Sequence, residues 1–207
     1  RTVLNRLCSQ GSIVDAGPLG SFRPTFTSKA VEKEEDFNSI RPRAIGLTGI
    51  LVTHGHWDHI RAIKELDHLT GAVTSAGAAD AVAIKEQEDY TVEEELTGGE
   101  SFDFYRSDTV IRSLHVPGHT PGSIVYTLET TWEDGTPATL LFTGDTLFPG
   151  GVGKTDSPQQ FGELFSNVLE KLFGGFEDDA IVLPGHGRST TLGDERPHLE
   201  EWGTRGW

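Results

Sequence analysis

Short apolar runs recur along the chain, and most of them end in a glycine, an aspartate or a histidine. Seven are rich in β-branched or aromatic residues: Ser12–Ala16, Gly49–Thr53, Ser101–Tyr105, Thr109–Val116, Ser123–Leu128, Thr139–Thr143 and Ala180–Leu183. Each reads as a strand bounded by turn residues. Between them the spacing becomes helical. In His59–Leu69 the residues Ile60, Ile63, Leu66 and Leu69 share one stripe, and Ala78–Lys85 predicts a second helix. Pro158–Phe173 carries Phe161, Leu164, Phe165, Val168, Leu169 and Leu172 on one face. Ser157 is placed to cap that helix, Pro158 suits its first position, and Gly174-Gly175 predicts its end. The runs 109–116 and 123–128 are joined by a turn without a helix. This pattern predicts a mixed sheet in a layered α/β or α+β fold, not a doubly wound parallel one. Residues 22–44 are polar and irregular, and the charge-dense Lys29–Asp36 reads as solvated surface.

Length and charge narrow the picture. A chain of 207 residues suits a single domain over 1–207, with a core large enough to need no staple. The net charge of −15 argues against nucleic acid as a partner, because tracking phosphates needs clustered Lys and Arg. The single cysteine, Cys8, allows neither an internal disulfide nor a cysteine-rich zinc site, and reads as a small half-buried residue. No apolar run approaches the roughly 18 to 20 residues of a membrane span, and no signal-peptide pattern opens the chain. The expectation is a cytoplasmic protein with no membrane partner.

The histidines change the picture most. Of 8 in the chain, three fall with one aspartate in His54-Gly55-His56-Trp57-Asp58-His59. That segment lies between a predicted buried strand and a predicted helix, where a rigid scaffold can hold converging side chains. Neutral imidazole and carboxylate are zinc ligands. His54 and His56, two apart on extended chain, can point the same way. Asp58 and His59 sit where the chain turns and can face a second point. One segment can thus offer two ligands to each of two metals, which leaves both unfinished. Three further strand ends present what is missing: His119 in Pro117-Gly118-His119-Thr120-Pro121-Gly122-Ser123, Asp145 in Thr143-Gly144-Asp145-Thr146-Leu147-Phe148, and His186 in Pro184-Gly185-His186-Gly187. Glycine lets the backbone turn sharply at each. His115, inside a strand, reads as a packed or supporting residue. His68 and His198, in polar helical stretches, read as exposed.

In their order, these motifs resemble the metallo-β-lactamase fold superfamily, from about Gly11 to the end of the chain. The resemblance implies a four-layer αββα sandwich with two mixed β-sheets and the site at one edge of them. Within the superfamily the sequence is most similar to the glyoxalase II-like group of short bacterial hydrolases. Carried over, that likeness implies one metal on His54, His56 and His119, another on Asp58, His59 and His186, and Asp145 bridging them. Zinc is the expected metal, and iron or manganese suits the same ligands. Asp15, in Ile13-Val14-Asp15-Ala16-Gly17, matches a strand-end aspartate that supports the site from behind. About twenty residues follow His186, so the glutathione-binding helical domain of full-length glyoxalase II is expected to be absent. The loop Pro149–Thr155 has no cysteine, although Lys154 is placed to meet a substrate carboxylate.

The reaction implied is hydrolysis of a small-molecule thioester or related ester. Two cations sharing a water lower its pKa from 15.7 toward ~7, and the bridging hydroxide attacks the carbonyl while Asp58 orients it. No nucleophilic serine motif is present. Several relatives on the scaffold fit less well. The common zinc β-lactamase type has cysteine where Asp145 stands, a flavo-diiron reductase has glutamate where His56 stands, and a β-CASP-type nuclease needs a long insertion and basic grooves. Two alternatives stay open: a mono-iron persulfide dioxygenase using His54, His119 and Asp145, and a lactonase. A non-catalytic binding module would be expected to have lost ligands, and none is missing.

Overall fold

A computed structural model describes residues 12–14, 49–103 and 110–206. Cys8, Asp15 and the 22–44 segment lie outside these residues.

The described strands form two main sheets. The first has β1 (Ser12–Val14), β2 (Gly49–Leu51), β3 (Val73–Gly77) and β4 (Glu94–Leu96), each parallel to its neighbour. The second comprises β5 (Ser101–Asp103), β6 (Val110–His115), β7 (Ile124–Thr131), β8 (Pro137–Gly144), β11 (Ile181–Pro184) and β12 (Thr190–Thr191). It is mixed: β5 to β8 run antiparallel in succession, β8 and β11 run parallel, and β12 closes antiparallel. A small antiparallel pair, β9 (Leu147–Phe148) and β10 (Gly151–Val152), leads off β8. The helices are α1 (Trp57–Ile60), α2 (Ile63–Thr70), α3 (Ala81–Glu88), α4 (Pro158–Val168, continued by a π turn over Leu169–Phe173), α5 (Leu192–Glu195) and α6 (Leu199–Arg205).

Period-two burial sorts the core into three slabs. Ile50 and Val52 of the first sheet face Ile60, Ile63 and Ile84 of α1 to α3. Leu51 points the other way and meets Ile124, Tyr126, Leu128, Leu140 and Phe142 between the sheets. Val125, Leu141 and Val182, on the far face of the second sheet, pack on Leu164, Val168, Leu172, Leu192 and Trp202. The result is a helix–sheet–sheet–helix sandwich. Each fully buried aliphatic side chain contributes roughly 1.5–3 kcal/mol to it.

Strand direction explains where the site lies. β6, β8 and β11 run the same way, so their C-terminal ends share one edge. The end of β2 is tied to that edge, because the N–H of Ile124 donates to the Thr53 carbonyl at 2.7 Å and the Tyr126 hydroxyl to that of Val52 at 2.8 Å. All four ligand-bearing segments therefore leave from one edge.

Local structure departs from the sequence pattern in several places, among them the short strands β4 and β12, which no predicted run covers. The stripe over 59–69 is interrupted at Arg61 and Ala62, giving two helices in place of one. The expected helix at Ala78 begins as a 3-10 turn, Ala78–Asp80. Strand β3, Val-Thr-Ser-Ala-Gly, carries no apolar run, yet its last four residues are buried. Parallel neighbours on both sides satisfy its backbone, and its hydroxyls find partners: Thr74 Oγ1 lies 3.0 Å from the Tyr90 hydroxyl, and Ser75 Oγ donates to Glu94 at 3.0 Å. At α4 the Ser157 hydroxyl accepts the Gln160 N–H at 3.2 Å, and Pro158 starts the helix.

Candidate metal centre

Strand β2 delivers His54 at its end, and α1 turns Asp58 and His59 inward. His54 and His59 are buried, whereas His56 is exposed, so the cluster opens to solvent on one side. His119 comes from the β6–β7 turn, Asp145 from the end of β8, and His186 from the end of β11. The seven sequence-predicted ligand positions come together. The His54 ring centroid lies 4.9 Å from that of His56, 4.1 Å from that of His59 and 4.8 Å from that of His119. His186 Nε2 approaches His59 Nε2 at 2.9 Å and Asp58 Oδ2 at 3.0 Å. Asp145 sits between the groups, 3.5 Å from His59 Nε2, 3.8 Å from His186 Nε2 and 3.9 Å from His119 Nε2.

Three groupings of ligand atoms fall within 4.8 Å: His54, His56 and His119; Asp58, His59 and His186; and His54, His59 and Asp145. The first two are the sets the sequence resemblance implies.

The polar bookkeeping points to a cation. His54 Nε2, His119 Nε2 and Asp145 Oδ1 are buried without a hydrogen-bond partner among the described residues. Leaving one such atom unsatisfied costs about 1–3 kcal/mol. The opposite ring nitrogens are held. His119 Nδ1 lies 2.7 Å from the Lys154 carbonyl, which can only accept, so Nδ1 carries the proton and Nε2 presents its lone pair. His54 Nδ1 lies 3.1 Å from Thr53 Oγ1. Burial, reinforced by His59, His119, His56 and His186, pushes His54 far below the ordinary histidine range. Burial and His119 also push His56 down, against the opposing pull of Asp145, Asp80 and Asp58. Neutral imidazoles beside carboxylates are a donor set that fits zinc and similar divalent cations.

Glycines permit this crowding. A Cβ on Gly153 would lie 1.8 Å from the Asp145 carbonyl oxygen, and one on Gly185 would lie 2.6 Å from Asp145 Oδ1 and 2.7 Å from His59 Cε1.

The family model described as Metallo-beta-lactamase superfamily matches residues 13–186. The chain belongs to that superfamily. Among its relatives, an uncharacterized protein of Mycobacterium tuberculosis is 33% identical over 188 residues, covering 80% of this chain and 79% of that one. Hydroxyacylglutathione hydrolase GloC of Haemophilus influenzae is 30% identical over 178 residues, covering 80% of each chain. The crystal structure of ETHE1 from Myxococcus xanthus is similar with a TM-score of 0.61 at 25% identity, covering 91% of this chain and 72% of that one.

The remaining histidines stay apart from the metallo-β-lactamase cluster. His115 lies in β6 with its Nε2 2.8 Å from the Pro121 carbonyl, and His68 and His198 are exposed. Lys154 meets the cluster through its backbone carbonyl, while its residue is exposed. Asp80 escaped the sequence reading. It is buried, and it receives hydrogen bonds from Gly55, Thr120 and Gly122. An aspartate at a helix start is ordinary, and its partners lie 25 to 42 residues away. Nothing local could have flagged it. No helix among the described residues is long and apolar enough to cross a membrane.

Proposed function

We propose that this chain is a binuclear metal-dependent hydrolase of a small-molecule thioester or related ester, similar in reaction to the glyoxalase II group. One observation carries the reading: seven His and Asp side chains converge from four strand ends, and His54 Nε2, His119 Nε2 and Asp145 Oδ1 at their centre have no hydrogen-bond partner among the described residues. In this reading His54, His56 and His119 would hold one cation, Asp58, His59 and His186 would hold the other, and Asp145 would serve both. Zinc is the expected ion at both. When bound, the cations supply Lewis acidity to a water and to the substrate carbonyl.

The chain's own residues then have defined tasks. His119 keeps its Nδ1 proton on the Lys154 carbonyl, which fixes the ring. Asp58, whose side chain is 40% exposed, accepts a hydrogen bond from the attacking water and holds it toward the carbonyl. The Lys154 ammonium meets an anionic group on the substrate. The relative's name, hydroxyacylglutathione hydrolase, supports a thioester as the bond cleaved.

The likeness to ETHE1 favours one second reading, a mono-iron persulfide dioxygenase built on His54, His119 and Asp145. Elemental analysis of the purified protein, run beside thioester, lactone and persulfide substrates, separates the two. Two zinc ions per chain with thioester turnover is the expected result. One iron per chain with oxygen consumption on a persulfide would overturn it.

A further inference from the structure

Strand β3 runs parallel to β2, so the turn that leaves it reaches the same edge as the histidine loop. That turn carries Asp80, which is 3% exposed. Its carboxylate collects three hydrogen bonds. Oδ2 accepts from the Gly55 N–H and from the Thr120 hydroxyl, each at 2.7 Å. Oδ1 accepts from the Gly122 N–H, also at 2.7 Å. Gly55 lies between His54 and His56, and Thr120 directly follows His119. One carboxylate thus grips both segments of the three-histidine group.

Directionality makes the grip specific. A carboxylate only accepts, so the Thr120 hydroxyl proton goes to Asp80. The Ser123 hydroxyl, 2.7 Å away, then donates to Thr120 Oγ1 and itself accepts the Thr120 N–H at 3.1 Å. The His119 turn is locked onto Asp80 by a one-way chain of donors. The backbone is shaped to allow it. A Cβ on Gly122 would lie 2.5 Å from the Asp80 nitrogen and 2.6 Å from its Cγ. A Cβ on Gly77 would lie 1.9 Å from the Gly122 carbonyl oxygen, and one on Gly55 would lie 3.2 Å from the Asp80 Cβ. Burying a carboxylate is costly unless it is fully bonded, and charge-assisted bonds of this length are the strong kind.

We propose that Asp80 is the positioning residue of the three-histidine site, its carboxylate setting the separation between the segment that bears His54 and His56 and the turn that bears His119. The inference rests on reading those three histidines as the ligands of one cation. Asp80 makes none of these bonds to the segments bearing His186 or Asp145, so its loss acts unequally on the two sites.

The test is Asp80→Asn in the full chain, with zinc dissociation constants measured by chelator competition and the visible absorption of the cobalt-loaded protein. Asparagine keeps the shape but replaces one acceptor oxygen with a donor. The expected result is one zinc affinity weakened about 10- to 100-fold, as is usual for groups that orient metal ligands, with the other unchanged and the cobalt spectrum altered for one ion only. Thr120→Val, which removes a single donor, should weaken the same site by less, and it carries the test if Asp80→Asn does not fold. Unchanged affinities in the variant that folds would overturn the inference while leaving the metal assignment standing. Equal weakening at both sites with a lowered Tm would reduce Asp80 to a purely structural role and overturn it too. A wild-type chain that takes up no zinc would overturn both readings together.

Discussion

The ring of His119 is oriented by the backbone of Lys154: Nδ1 donates to the carbonyl oxygen at 2.7 Å, across 35 residues of sequence. Because the acceptor belongs to the main chain, the orientation does not depend on which side chain occupies position 154. Lys154→Ala is therefore expected to keep wild-type metal content. If the ammonium meets an anionic substrate, the same variant raises KM for an anionic thioester with little change for a neutral ester. Elemental analysis and paired kinetics check this, and a fall in metal content would refute it.

Asp145 stands within 4.0 Å of three of the ligand histidines. Its replacement by alanine is expected to lower bound metal from about two ions to one or fewer per chain, with activity falling by orders of magnitude as the Lewis-acid contribution is lost. Metal analysis after gel filtration reads this directly. A variant with two ions and full turnover would show that the bridging assignment is mistaken.

The metal-free chain should be acid-sensitive from the histidine range downward. His54 and His56 both have folded pKa values below their ordinary 6.5. The unfolded chain therefore binds more protons than the folded one once pH falls below 6.5, and stability drops with it. Above that pH both states are neutral at these rings and the slope vanishes. A lower limb comes from Glu100. Burial alone would raise its pKa, but hydrogen bonds from Ser113, Thr97 and Gly98 outweigh burial and hold it at about 2. Its contribution is lost as pH falls from 4.5 toward 2. Thermal melts of the apoprotein against pH check both limbs. His54→Gln should flatten the upper limb and Glu100→Gln the lower.

Tyr126 is fully buried between the sheets, and its hydroxyl donates to the Val52 carbonyl, two residues before His54. Tyr126→Phe leaves that carbonyl without this donor and should cost about 1–3 kcal/mol of stability. Metal content should hold, because Ile124 still ties the Thr53 carbonyl to the second sheet. Chemical denaturation beside metal analysis tests the two halves of this expectation.

Much of the site was legible because its residues are spelled out locally. His54 to His59 are six neighbours, and each of His119, Asp145 and His186 follows an apolar run and has glycine beside it. Strand β3 was not legible: its small polar residues are buried by parallel neighbours and by partners such as Tyr90, none of which is local. The interruption of the 59–69 stripe was hidden for a related reason, since Ile60 and Ile63 keep helical spacing across it and both remain in one core cluster.

By itself the sequence determined which residues could bind a cation, because ligand chemistry belongs to side-chain type, and where the longer apolar strands and helices lie, because burial on one face imposes a period. Only the tertiary structure decided that the ligand segments share an edge, since that depends on the directions of β6, β8 and β11 and on the tie between Thr53 and Ile124. It also decided the role of Asp80. A carboxylate becomes a clamp only when donors distant in sequence are brought to it, and no local pattern records which donors will arrive.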